Sequence, residues 1–325
     1  MRLTLLALVF AVSPSLYQGM HWRFVGPMRG GRTVAVTGVA NRPNLFYIAA
    51  VNGGIWKTED AGHTWVPIFD GETTGSIGAL AVAPSNPNVV YAGSGEGLQR
   101  PDLAVGDGVY KSNDGGRTWT HLGLRDGQQI ASMTVDPANA NRLFVAVLGH
   151  PYGANSERGL YRSLDGGASF QRVLFENEDA GAFDVVLDPH DPKIVYATLW
   201  AARQAPWEIG ASFEIPGSGI FKSSDGGTTW TKLSEGLPAQ IGRAEIAVAP
   251  SDSRVVYAYA DVEAKGEDAG ALYRSDDAGA HFTRVNDADE IAQRGDDLVS
   301  LTVDPRDPRT VYLTNTSTYR SMDGG

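Results

Sequence analysis

Ser112-Asn113-Asp114-Gly115-Gly116-Arg117-Thr118-Trp119 decides the fold, because the same eight-residue pattern returns along the whole chain. It is built for a tight turn between two strands. A carboxylate accepts hydrogen bonds from turn amides, a glycine takes positive φ, and a closing aromatic packs on the sheet. The other copies carry Asp60, Asp165, Asp225, Asp277 and Asp323 at the same place, so the aspartates recur 54, 51, 60, 52 and 46 residues apart. A period of that length is one supersecondary unit. All six aspartates read as structural.

Between the turns lies a second recurrent pattern, clearest in Leu80-Ala-Val-Ala-Pro84-Ser-Asn-Pro87-Asn-Val-Val-Tyr91-Ala92, where two apolar, β-rich runs flank a Pro/Asn turn. Its counterparts are Val36 to Ile48, Met133 to Val145, Val185 to Ala197, Ile246 to Ala258 and Leu301 to Leu313. Two hairpins per period predict four strands, in this unit A (Ala79 to Ala83), B (Val89 to Gly93), C (Gly108 to Ser112) and D (Thr118 to Leu122). Four-stranded antiparallel units that cannot bury their faces alone predict an all-β fold, a β-propeller of about six visible blades with the last one incomplete. Residues 20–26, Met20-His-Trp-Arg-Phe-Val-Gly26, resemble a lone D strand of the kind seen at Arg117 to Gly123, which would complete the last blade of a ring. The pattern breaks off inside the sixth turn, which predicts that residues 20–325 are a piece of a longer, many-bladed protein.

Composition narrows the function. With Lys+Arg 27 against Asp+Glu 38, the formal net charge is -11 and no basic stripe is present, so a nucleic-acid partner is not expected. There is no cysteine, which removes disulfides, thiolate metal sites and a cysteine nucleophile. The six histidines form no pair at ligand spacing, and neither a metal nor another cofactor is expected. Residues 1–19 have the layout of a secretory signal peptide, with Arg2, an apolar run Leu3 to Val12, and then Ser13-Pro14-Ser15. No later segment reaches transmembrane length. The mature chain is therefore expected to be exported to a bacterial periplasm, cell surface or exterior.

Strand parity sorts the connections. The A–B and C–D turns share one face of the ring, and the long, irregular B–C and D–A loops gather on the other. Those loops hold the candidate ligand residues Arg29, Arg32, Asn52, Glu96, Arg100, His150, Arg203, Trp207 and Glu208. Arg, Glu, His and Trp converging at the mouth of a rigid ring suit a ligand site; equally, the Arg and Glu side chains suit ion pairs between blades. Neither the ligand nor an oligomeric state is written in these loops.

The pattern Ser/Thr-x-Asp-x-Gly-x-Thr/Ser-aromatic resembles the Asp-box, or bacterial neuraminidase repeat. Trp22 to Arg32, Gly53 to Thr58 and Gly75 to Pro84 look like the large exported bacterial Asp-box proteins called sortilin N-terminal-like or "glycosyl hydrolase". The resemblance implies a propeller that binds a protein, a peptide or a glycan. The hydrolase label implies a more distant similarity to family 74 xyloglucanases, which use two carboxylates. Where that family has an Asp after the first B strand, this chain has Asn52, which cannot act as a base, and inverting hydrolysis requires both carboxyls. A sialidase would use an arginine triad with a Tyr/Glu pair. Arg29, Arg32, Arg100, Arg203 and Arg243 could supply the former and Tyr152 with Glu96 or Glu157 the latter, yet the Phe/Tyr-Arg-Ile-Pro entry motif is replaced by Met28-Arg29-Gly30-Gly31. The reading is an exported binding module, with a glycoside hydrolase of displaced or incomplete carboxylate pair as the alternative.

Overall fold

The computed structural model describes residues 31–98, 103–203, 216–264, 267–295 and 298–325. The signal-like segment and the D-strand-like residues 20–26 lie outside these. Six antiparallel sheets follow one another along the chain. Blade 1 has β1 (Thr33–Val39), β2 (Arg42–Ala50), β3 (Gly54–Thr58) and β4 (Val66–Pro67); blade 2 has β5 (Ile77–Val82), β6 (Val90–Ser94), β7 (Val109–Ser112) and β8 (Thr120–Gly123). Blade 3 comprises β9 (Ile130–Asp136), β10 (Asn139–Val147), β11 (Gly159–Ser163) and β12 (Gln171–Leu174). Blade 4 comprises β13 (Gly181–Leu187), β14 (Val195–Trp200), β15 (Gly219–Ser223) and β16 (Thr231–Leu233). In blade 5 are β17 (Ala244–Val248), β18 (Val256–Ala264), β19 (Glu267–Ser275) and β20 (Thr283–Asn286). Blade 6 has three strands, β21 (Ser300–Val303), β22 (Val311–Thr314) and β23 (Thr318–Ser321). The chain is a six-bladed β-propeller, as the repeat predicts.

The expected strand bounds in blade 2 shift at the turn for a local reason. The Thr118 amide and hydroxyl both donate to Asp114, at 2.9 and 2.7 Å, so the fourth strand starts only at Thr120. Gly108 has φ 112°, outside the ladder, and the third strand starts one residue later.

All six turns repeat one network. In the second, Ser112 Oγ donates to Asp114 Oδ1 at 2.8 Å and accepts from the Gly116 amide at 2.8 Å. The fifth has His281 where the first four have a hydroxyl, and its Nδ1 lies 2.7 Å from Asp277 Oδ2. Two consecutive residues take positive φ, not one: Gly115 and Gly116 at 71° and 90°, and Ala278 and Gly279 at 58° and 86°. The first position thus tolerates alanine. At the second, a Cβ on Gly116 would stand 2.4 Å from Ile68 Cδ1 of blade 1, so glycine also permits the blades to approach.

The core is a set of clusters, each shared by two consecutive blades. Tyr47, Ile55, Leu80 and Tyr110 belong to one between blades 1 and 2, and Tyr257, Leu272, Leu301 and Leu313 to another between blades 5 and 6. Polar bonds cross the same interfaces. Tyr91 Oη donates to Ala140 O at 2.9 Å, Tyr196 Oη to Ala278 O at 2.9 Å and Tyr257 Oη to Pro308 O at 2.9 Å. Each is a buried hydroxyl whose loss would strand a carbonyl of the next blade.

Hydrogen bonds from Thr or Ser hold the carboxyls of Asp60, Asp114 and Asp165 down to about 2. A carboxylate with its folded pKa below the unfolded value of about 3.9 binds protons on unfolding, so its stabilisation is present above that value and fades as pH falls toward 2. Thermal melts should therefore move steeply down between pH 4 and pH 2, and Asp114→Ala should melt lower than the parent at pH 7 with a shallower fall on acidification.

Candidate functional site

All six inner strands contribute to one cavity of about 550 Å3 on the propeller axis, toward the loop face. Its charged residues are Arg32, Glu96, Arg243 and Glu245. Arg32 enters just ahead of β1, and its Nη2 donates to Glu96 Oε2 in the loop after β6, so the pair joins blades 1 and 2. The second Glu96 oxygen accepts from the Ala104 amide at 2.7 Å, and Gln129 Oε1 of blade 3 takes the Glu96 and Gly97 amides at 2.6 and 2.9 Å.

Across the ring, Arg243 donates to Glu245 Oε1 at 2.5 Å and to the carbonyls of Gly295 and Val299, and it lies 4.4 Å over the Phe183 ring. Glu245 Oε2 accepts from the Leu301 amide of blade 6 at 2.9 Å. Asp184 stands one blade earlier in the same strand position and makes the same reach: its Oδ2 accepts from the Ile246 amide of blade 5 at 3.1 Å, while Oδ1 accepts from Ser132 Oγ of blade 3 at 3.0 Å. Two carboxylates thus stitch inner strands together from side chains. Burial pushes Glu245 up to about 7, Arg243 opposing and the nearby Asp184 adding to the shift. Burial also pushes Asp184 up, against its hydrogen bonds.

Of the loop residues named from sequence, the structure brings together Arg32 and Glu96. Asn52 is exposed at φ 54° in the β2–β3 turn and does not line the cavity. His150 Nε2 sits 2.9 Å from Asp126 Oδ1, and Arg203 Nε 3.0 Å from Asp179 Oδ1, so each fixes a loop away from the axis. Arg29, Arg100, Trp207 and Glu208 lie outside the described residues. Trp200, at the end of β14, is fully buried edge-on against Phe183 at 5.7 Å. Sequence reasoning missed Glu245 and Asp184, although aligning the inner strands sets them opposite Ala79, Ser132 and Ser300, two acids in a column of small residues. Among the described residues, no group of three or more His, Asp or Glu could hold a metal ion, and no helix is long and apolar enough to cross a membrane.

The His150 loop is anchored from beneath by Arg158. This wholly buried guanidinium donates to the carbonyls of Glu178, Leu148, His150 and Gly153. Burial brings it down to about 10, so it stays charged at neutral pH.

The donors and acceptors of two Arg–Glu pairs, beside Thr33, Ser300 and Thr314, suit a neutral, hydroxyl-rich ligand better than an ion. A groove of about 510 Å3 on the opposite face, lined by Arg42, Lys57 and Arg117, sits among the repeat turns, where Lys57 is paired with Glu59. It serves the turns.

Comparison with known proteins supports a distant kinship. No family model matches the chain. A xyloglucanase of Hypocrea jecorina (strain QM6a) is 23% identical over 363 aligned positions, covering 98% of this chain and 41% of that protein. A xyloglucanase of Acetivibrio thermocellus is 24% identical over 68% of this chain and 28% of its own length. The chain thus spans less than half of the curated relatives it matches. Among solved structures, an ancestral GH74 enzyme superposes with a TM-score of 0.66 at 22% identity, over 91% of this chain and 36% of the other. YCF48 bound to D1 peptide gives 0.54 at 14% identity, over 91% and 82%. These likenesses establish the shared propeller fold.

Two substitutions probe the site. Glu245, with its folded pKa above the unfolded value of about 4.3, contributes stability that is present below that value and lost as pH rises through 7. Urea unfolding at pH 5 and pH 7.5 should show a smaller difference for Glu245→Gln than for the parent. Arg158→Lys keeps the charge but not the fork of donors, and should lower unfolding free energy by about 3 kcal/mol, as breaking a buried charged network does.

Proposed function

We propose that the chain is the substrate-engaging ring of a glycoside hydrolase of the xyloglucanase type, acting on an extracellular, hydroxyl-rich polysaccharide. The observation that carries this reading is the similarity to a xyloglucanase along 98% of the chain. Paired Arg–Glu groups at the axial cavity support it, because sugar hydroxyls both donate and accept. The signal-peptide layout of residues 1–19 and the Asp-box pattern agree with an exported enzyme of this kind. Glycan capture is this ring's part.

A second reading, binding of a glycan, peptide or protein by a sortilin-like module that performs no hydrolysis, is favoured by Asn52, whose amide stands where the xyloglucanase resemblance has an aspartate. Each oxygen of Glu96 and Glu245 accepts from one protein donor and keeps a further lone pair that a sugar hydroxyl can meet. Affinity electrophoresis tests the proposal. Migration should be retarded in gels containing xyloglucan and not in gels containing mannan, with no reducing ends released by this chain. Unretarded migration together with no release would sink the polysaccharide reading.

A further inference from the structure

The groove among the turns of blades 1 and 2 carries more charge than those turns use. Strand registers align Tyr47 of blade 1 with Tyr91, Phe144, Tyr196, Tyr257 and Tyr312 of the later blades, each opposite a third-strand cation. Five residues earlier in the chain, the later blades have Asn86, Asn139, Asp191, Asp252 and Asp307. The side-chain oxygen of each accepts from the amide two residues on, at 3.0 to 3.2 Å. Blade 1 has Arg42 at this place. A guanidinium accepts no hydrogen bond, so blade 1 gives up the bond that steadies the other five turns.

Blade 2 departs from the repeat where it faces the same groove. Arg117 stands where the other complete turns have His63, Ala168, Thr228 and Ala280. The third-strand cation is redirected as well. Lys111, Arg162 and Lys222 donate to the carbonyls of Gly166, Gly226 and Ala278 in the next blade, at 3.1, 2.8 and 2.7 Å. Lys57, their counterpart in blade 1, pairs with Glu59 at 2.8 Å and leaves the Gly115 carbonyl to the Tyr47 hydroxyl. Arg274 of blade 5 turns to Asp276 in the same way, but that blade has Asp252 at the Arg42 position.

Arg42, Lys57 and Arg117 line this groove of about 510 Å3 with Glu59 and Asp114, three cations against two carboxylates. Asp114 is spent on its own turn. Glu59 is exposed, and its carboxyl is held below the usual range by the Lys57 hydrogen bond and by the charges of Lys57, Arg42 and Arg117. Val66, Ile68 and Pro87 add an apolar wall. We propose that this groove is a second ligand site, on the face opposite the axial cavity, and that it takes a carboxylate carried on a sugar ring, as in a uronic-acid polysaccharide. A surplus of one positive charge matches a carboxylate better than a phosphate, which brings nearly two negative charges. Two guanidiniums offer the planar forks that suit a carboxylate, and the apolar wall meets the face of the ring. Glu59 is the internal counterion that the incoming carboxylate displaces from Lys57. The sugar rests on the polysaccharide reading; the carboxylate rests on the departures of blades 1 and 2 from their own repeat.

The repeat supplies substitutions that it already tolerates. Arg42→Asn and Arg117→Ala install residues found at those places in other blades, and Arg42→Asn regains the turn bond, so both proteins should melt no lower than the parent. Calorimetric titration with oligogalacturonate should show binding to the parent and about tenfold weaker binding to each variant, the loss of a charge-assisted hydrogen bond. Glu59→Gln removes the competing carboxylate and should tighten binding about fivefold. The methyl-esterified oligomer, which has the same rings without the charge, should not bind. No binding of oligogalacturonate to the parent would overturn the proposal, as would equal affinities for the parent and both arginine variants. A glutamate oligopeptide binding as tightly as the sugar acid would overturn it too, assigning the groove to an acidic peptide. Retardation by xyloglucan reads the axial cavity and titration with oligogalacturonate reads the groove, so either reading can fail alone.

Discussion

Each blade depends on its neighbours because a four-stranded sheet of this size has two apolar faces and covers neither by itself. The clusters that exclude water lie between consecutive blades, so the unit of stability is the interface and not the sheet. The turns serve that interface. Gly116 is held at φ 90° by Ser112 and Asp114, and the same lack of a side chain admits Ile68 of the preceding blade. One residue thus satisfies a backbone demand and a packing demand together.

The axis obeys a different rule. There the inner strands of different blades run near one another with backbone amides directed at the preceding blade, and carboxylates on blades 4 and 5 reach across to cap them. Burying those groups raises their pKa values, and Arg243 offsets part of the cost for Glu245. Two guanidiniums set against two carboxyl groups keep the cavity polar, and such a surface can meet hydroxyls.

The architecture was legible in the sequence because its determinants are local. Ser112, Asp114, Gly116 and Thr118 act on one another within a single turn, and the alternation in Leu80 to Ala92 states its own strand pairing. The site was legible only where it rests on chain order. Strand parity put Arg32 and Glu96 on one face, and they meet. It could not separate His150 and Arg203, which stand on the same face but are drawn to Asp126 and Asp179, since the choice of ion-pair partner depends on distances between blades. Glu245 and Asp184 escaped notice because an acid within a strand reads as solvent-facing until its neighbour across the axis is known.

The tyrosine hydroxyls give the ring a direction. In all four such bonds the donor belongs to the earlier blade and the acceptor to the later one, so each of those interfaces has a head and a tail that cannot be exchanged. Such heterologous contacts are satisfied only by rotation back to the start, and any arc that stops short carries one unmatched head and one unmatched tail. At the two ends of the described ring, Tyr312 of blade 6 is half-buried and Val36 of blade 1 is 68% exposed. Curvature alone decides whether they find each other within one molecule or link successive molecules into a filament.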